Sequence, residues 1–576
     1  MPANESSESA STAAPPHPCF PHPFHKDPHH GTFNEPVFGC HYPRPLADLR
    51  MCRLSSHIRQ KPRWWEKMLN PNIRSKWIQE AKEQQQHLTH GERLTDEMLD
   101  YVMDELDGYA ELRDGKTGIE CGPYHAIFFS DYLIPQDLTG ALQRAVKSLE
   151  DVPEQEKDWH PGSKGRVLDL VHPSMYPLVY GETYGTFSEG QVSTIDPPVP
   201  ASDESEDHRV DDIFISNQFQ WLPSDFQVDG KGAVKLASSY INNIHPQHHD
   251  QLVPVIERVL EHAVPMWERV LSALDDGPRG FGGGVSLACY CVREPGANLV
   301  EDYDDMEDWR ERENDYEAWL QGKIDCGALT LYECWPYRRF EGRPEKKFSL
   351  AESRIQVIVK LANIVLTPEK PEYPGGIWHV EGMAGESIVS TFIYYYESEN
   401  IEPCDLSFRA ATAAPDYHDQ NDDICMRNIY GMATADPCVQ DIGSIETKAG
   451  RCVAFPNIYQ RRVSPFQLAD ETKPGVRKIL VFFLVDPTVH VPSTSVVGPQ
   501  QVEVVKYTLL QVTHEGAASS RLAMLPVELL DYIGGLVPGT MSRADAEEIR
   551  EELMEERSVM ITSVNTEFFA RDFNMW

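Results

Sequence analysis

Four runs in the C-terminal half of this chain limit what it can fold into: Gln356 to Leu366, Ile388 to Tyr396, Arg451 to Phe455 and Lys478 to Val485. Each is apolar and rich in β-branched or aromatic residues, and Pro/Gly turns separate them without an intervening helical pattern. Several strands at uneven spacing predict an antiparallel barrel or jelly roll. Between the first two runs lies Trp378-His379-Val380-Glu381-Gly382. Side chains two apart on a strand share a face, so His379 and Glu381 offer an imidazole nitrogen and an acidic oxygen side by side. That is two thirds of a 2-His-1-carboxylate site for non-haem Fe(II).

With 576 residues the chain has room for two to four domains, and 41% hydrophobic and 10% aromatic residues are globular values. The net charge of −38, from 52 basic and 90 acidic residues, argues against nucleic acid and anionic membranes as partners. No stretch approaches the roughly 20 apolar residues of a membrane span, and the N-terminus has no basic or apolar signal region. Twelve cysteines, paired in spacing only at Cys289-Tyr290-Cys291, fit reduced thiols. An intracellular protein, cytoplasmic or nuclear, is expected. The acidic insertions are compatible with a protein partner.

Residues 1–38, rich in Ser, Ala, Pro and His, read as a disordered tail whose histidines (His17, His22, His25, His29, His30) form no specific site. Residues 39–275 read as a mainly helical domain. Thr95 caps a helix with Met98, Val102 and Leu106 in one stripe, and Leu252, Val255, Ile256, Val259 and Leu260 line another over about 250–273. Residues 158–181 are dense in Pro, Gly and aromatics and read as ordered loop and short strands. An acidic insertion near 196–212 reads as disordered. Trp309, Arg312, Tyr316 and Trp319 read as core packing on an acidic helix over 301–320, and His245, His248 and His249 as satisfied or exposed. Residues 276–500 hold the jelly-roll domain. Residues 501–576 form a helical extension, with Ser542 and Asp545 as a capping box. The fold class expected is α+β. Gly280-Phe281-Gly282-Gly283-Gly284 lacks a following Lys-Ser/Thr and is no P-loop.

The His-x-Glu triplet gains weight from its context. Pro374-Gly375-Gly376 delivers it from a tight turn, Val463-Ser464-Pro465 follows downstream, and Pro474-Gly475-Val476-Arg477 opens a strongly apolar strand. An arginine entering a buried strand is expensive without an anion, and its planar fork suits a carboxylate. This order resembles that of Fe(II)/2-oxoglutarate oxygenases. The whole sequence resembles a fungal family of uncharacterised proteins defined only as a domain of unknown function. The likeness rests on Lys360-Leu361-Ala362-Asn363-Ile364, Pro371 to Gly376, His379-Val380-Glu381-Gly382-Met383, Ile393 to Tyr396 and Phe455-Pro456-Asn457. In the N-terminal half it rests on Trp159 to Ser163, Leu170 to Pro173 and Tyr240 to Asn243. It spans roughly residues 40–500.

The resemblance implies a double-stranded β-helix in the C-terminal half, Fe(II) held by His379 and Glu381, and 2-oxoglutarate salt-bridged by Arg477. Lys360 and Asn363 are implied as further contacts to the cosubstrate. The family pattern Gln-His-Arg-Val becomes Gln460-Arg461-Arg462-Val463 here, so Arg461 stands where the distal ligand belongs, and Gly385 replaces an Asn. A guanidinium has no lone pair to give to iron. Three readings stay open. The chain is an oxygenase with a reduced or substitute ligand set, for which His418 and His490 are the downstream histidines. It is instead a non-catalytic binding or regulatory protein on the same scaffold. Or His379 and Glu381 are only a buried hydrogen-bonded pair. An active form would hydroxylate or desaturate a small organic substrate that the sequence does not name.

Overall fold

The computed structural model describes residues 20–24, 42–187, 190–198, 212–276, 285–287, 317–329, 331–334, 337, 347–415, 422–514, 525–569 and 572–575. Two early helices, α1 (Leu46–Arg59) and α2 (Asp96–Leu112), share an apolar cluster built on Met51, Ile58, Met98, Val102 and Leu106. Thr95 caps α2 by accepting from the Met98 N–H, and Asp96 and Glu97 complement the positive end of the helix dipole. Then come β1 (Glu120–Cys121), β2 (Phe128–Ser130), α3 (Gln136–Glu150), β3 (Asp158–Trp159), β4 (Val167–Val171), β5 (Ser224–Val228) and β6 (Val234–Leu236). The long helix α4 (Leu252–Asp276) follows. The later strands are β7 (Arg354–Leu366), β8 (Ile388–Glu399), β9 (Cys404–Ala411), β10 (Val439–Thr447), β11 (Cys452–Pro456), β12 (Gln460–Val463) and β13 (Gly475–Val485). A last helix, α5 (Arg543–Ser563), starts from a capping box of Ser542 and Asp545.

All four apolar runs become strands of one ten-stranded sheet in the order β1-β2-β11-β8-β13-β7-β4-β3, with β5 pairing beside β4 on β7 and β6 pairing β5. Every pairing in it is antiparallel, so directly opposed residues share a face. Phe392 opposes both Phe482 and Ala454, and this face meets the helices: Trp267 of α4 lies 6.4 Å from Phe392 and 6.5 Å from Phe482, ring to ring. Leu138, Leu142 and Val146 of α3 are fully buried in the same core. The stripe that predicted α4 exists because one helix side must leave water against this sheet.

The opposite face meets a smaller antiparallel sheet, β10-β9-β12. Phe455 of β11, opposed by Thr391, packs edge-on to Phe408 of β9 at 5.0 Å. Arg477, Ile479, Val481 and Phe483 of β13 alternate onto this inner face. The result is an α+β protein with helices behind a large antiparallel sheet and a second sheet in front of it.

Two expectations change. The boundary near residue 275 does not divide the sheet, because β2, β4 and β5 pair with β11 and β7. In the tail, Phe20 and Phe24 are buried, with Phe20 against Phe348 at 5.1 Å and Phe24 stacked on Phe214 at 5.0 Å. The apolar side chains at 20–24 find core partners that a composition rule ignores. The rest of the tail, most of the acidic insertion, the glycine run at 280–284, Cys289, Cys291, Trp309, Arg312, Tyr316 and His418 lie outside the described residues. The described cysteines are free thiols, and no described helix is long and apolar enough to cross a membrane.

Candidate functional site

The segment carrying His379 is placed by a turn. Gly375 adopts φ +87, and a Cβ there would lie 2.9 Å from the Val463 carbonyl oxygen, so this approach to β12 requires glycine. The Gly376 N–H donates to that same carbonyl at 3.0 Å. Three residues on, His379 and Arg461 form an antiparallel bridge. The arginine that replaces the expected ligand is thus the cross-strand neighbour of His379, with its side chain on the same side.

Arg461 contacts both members of the His-x-Glu pair. Its Nη1 lies 3.1 Å from His379 Nε2, and its Nη2 is ion-paired with the Glu381 carboxylate. His379 Nδ1 donates to the Ile377 carbonyl at 2.8 Å, which fixes the ring proton there and leaves Nε2 as the acceptor for Arg461. Burial and the adjacent Arg461 charge push the His379 pKa down to about 3. His379 Nε2 and Glu381 Oε1 stand 3.9 Å apart with the guanidinium between them. A divalent ion does not fit this pair: its position is taken by a fixed cation, and two like charges about 4 Å apart repel by several kcal/mol.

Asn457 holds the acidic member. Its Oδ1 accepts from the Glu381 N–H at 2.8 Å, and its Nδ2 donates to the carbonyls of Glu381 (2.9 Å) and Ile388 (3.0 Å). Phe455-Pro456-Asn457 marks the resemblance, but nothing in the sequence tells which side chain of that triplet is the positioning one.

Arg477 is 2% exposed and opposes Ile364 and Ser398. Its guanidinium lies 4.2 Å from the centre of the Phe466 ring and donates to Cys404 Sγ, while its Nε has no partner. Among the described residues no carboxylate pairs with it. Lys360 points to the same inner face, opposite Val481, where burial and Arg461 lower its pKa and Asp169 opposes that shift. Asn363 does not join them. It opposes Lys478 on the helix-facing side, donates to Glu150 Oε1 at 2.7 Å and accepts from the Tyr396 hydroxyl at 3.4 Å. Lys360 and Asn363 are three apart, and an odd spacing on a strand puts two side chains on opposite faces.

The inner face also holds a group to which the sequence assigns no role, although His160 and His172 fall in stretches that carry the family resemblance. Asp169 of β4 opposes Ala362, and His160 and His172 flank it. One possible ligand atom from each of the three lies within 4.8 Å of the others. The other histidines do not compete: His490 is exposed past the end of β13, and the His245 and His248 rings stack on each other at 3.8 Å.

The fold and site together define an α+β protein with an arginine-closed His-x-Glu pair between two antiparallel sheets. The chain belongs to the family described as a protein of unknown function, DUF4246: residues 96–508 match it, and residues 1–80 match the N-terminal domain of unknown function of the same family. No curated protein matches the sequence. Among solved structures, an Fe(II)/(alpha)ketoglutarate-dependent dioxygenase, TqaL, is 16% identical, with 34% of this chain and 63% of that one covered and a TM-score of 0.17. A bsmA homolog from Methylobium petroleophilum PM1 is 10% identical over 62% of this chain and 88% of that one, at TM-score 0.22. A rice dioxygenase for auxin oxidation is 13% identical over 74% and 95%, at 0.21. TM-scores this low set up no correspondence between residues.

Proposed function

We propose that this chain is a small-anion-binding protein on a double-stranded β-helix of the Fe(II)/2-oxoglutarate oxygenase type, in which Arg461 takes the place of iron. The observation that carries this is the contact of one guanidinium with both His379 and Glu381. Lys360, Arg461 and Arg477 bring three cationic groups to the inner face, against the carboxylates of Glu381 and Asp169. Arg477, lacking a carboxylate of its own, is the group left to receive one from a ligand. Along β9, Phe408 opposes Arg461 and Cys404 touches Arg477. Those positions are four residues, or about 13 Å, apart on the strand, the span over which a compact carboxylate of the 2-oxoglutarate class would lie.

The test is binding of 2-oxoglutarate to the purified, metal-free chain by calorimetry, followed by anaerobic addition of Fe(II) while watching for a metal-to-ligand charge-transfer band. The expected result is saturable 2-oxoglutarate binding with no band at this site. A band that bleaches on adding O₂ would overturn the proposal and establish an active oxygenase. Absence of 2-oxoglutarate binding would remove that ligand class.

A further inference from the structure

We propose that His160, Asp169 and His172 form a binding site for one divalent transition-metal ion, separate from the His379–Glu381 pair. The site is assembled by a hairpin. β3 pairs β4 through Asp158–Asp169 and Trp159–Leu168, and the His160 N–H donates to the Val167 carbonyl at 2.9 Å. The connecting turn places Gly162 at φ +77 and Gly165 at φ +69, which folds the chain back so that His160, two residues beyond Asp158, lies diagonally across from Asp169 on the same face. His172 follows directly after β4.

Two imidazoles and one carboxylate select Fe(II), Mn(II), Co(II) or Zn(II) over Mg(II) or Ca(II), and three ligands leave positions open to solvent or ligand. The Asp169 side chain is wholly buried, its Oδ2 is 2.7 Å from His160 Nδ1, and its Oδ1 has no hydrogen-bond partner among the described residues. A buried carboxylate oxygen without a donor is costly, and a cation is the partner that would satisfy it. The His160 side chain keeps 26% exposure, which gives an ion a way in. Bond lengths of about 2.1 Å place ligand atoms about 3 Å apart, so small rotations must close the 4.8 Å spread.

In the metal-free arrangement His160 is hydrogen-bonded to Asp169, while the Ser174 N–H donates to His172 Nδ1 at 3.2 Å, putting the His172 ring proton on Nε2. Coordination through Nε2 displaces that proton and gives up this long contact. Lys360 is the opposing charge, since it is electrostatically coupled to both Asp169 and His172.

The experiment is titration of Co(II) into the full-length, chelator-stripped chain, with ligand-field absorption and calorimetry as readouts. One equivalent should bind. Asp169→Asn and His172→Gln should weaken it by more than the 10- to 100-fold typical of losing an outer-shell partner. Glu381→Gln and His379→Gln should leave it unchanged. Because His172 is buried, near-UV circular dichroism checks each fold, and the more exposed His160→Gln carries the test if His172→Gln does not fold. Failure to bind Co(II), or wild-type binding by a folded Asp169→Asn protein, overturns the site. Loss of binding only in the Glu381 and His379 variants overturns it as well, and would show instead that the arginine-closed pair admits metal.

Discussion

His379 and Arg461 face each other across an antiparallel bridge, the His379 N–H donating to the Arg461 carbonyl at 3.3 Å and the Arg461 N–H returning to the His379 carbonyl at 3.0 Å. Such a mutually bonded pair places two Cα atoms about 5.5 Å apart with side chains alongside. The backbone therefore presents whatever stands at 461 to the His-x-Glu pair. Arg461→His should create an Fe(II) site with three ligands, seen as one tightly held equivalent of iron under anaerobic conditions. Arg461→Met should cost about 3 kcal/mol in chemical denaturation, because Glu381 is left buried and unpaired. Adding Glu381→Gln should recover most of that loss.

Arg477 is expected to behave in the opposite way. Removing it strands no carboxylate among the described residues, so Arg477→Met should change stability by less than about 1 kcal/mol. The same variant should weaken 2-oxoglutarate binding about 100-fold, the equivalent of roughly 2.7 kcal/mol. Calorimetry beside a urea melt reads both quantities on one preparation.

The depressed His379 pKa makes stability depend on pH. The native ring stays neutral down to about pH 3, whereas the unfolded ring takes up a proton near its ordinary value of 6.5. The unfolded state therefore binds more protons between those values, and this contribution is full above pH 6.5 and lost as pH falls towards 3. Against His379→Gln, the wild-type chain should lose about 2 kcal/mol of relative stability between pH 7 and pH 5. Parallel stability curves for the two proteins would contradict the assignment.

Asn457→Ala should cost about 2–3 kcal/mol, because it strands the Glu381 N–H and the carbonyls of Glu381 and Ile388 in a buried position. Asn457→Asp keeps the acceptor but loses the donors, and should lower the melting temperature while leaving the Arg461 contact in place.

The long strands are legible in the sequence because helices cover one sheet face and a second sheet the other, which makes Ile388 to Tyr396 and Lys478 to Val485 nearly continuous in apolar residues. Thr95 and Ser542 are legible as caps because capping is a local property of a few residues. The replacement at 461 is visible as a broken motif, but that its guanidinium reaches both His379 and Glu381 depends on the register of β12. The resemblance misplaces Asn363, although its spacing from Lys360 already excludes a shared face. His160, Asp169 and His172 are hidden for another reason. The hairpin that joins them is made of strands of two and five residues, too short to announce themselves by periodicity. The contribution of β2, β4 and β5 to the main sheet is hidden in the same way.

That shared sheet also bears on how the chain comes off the ribosome. The strand with β7 and β8 as neighbours, β13, is among the last to be synthesised, while β2, β4 and β5 are made hundreds of residues earlier and wait for partners. Contacts of such long sequence separation form slowly and leave apolar surface open meanwhile. A nascent chain arrested before residue 475 carries α3 and α4 with no complete sheet to cover them. Its first half is expected to need chaperones, and a chain truncated before β13 should be recovered only as aggregate.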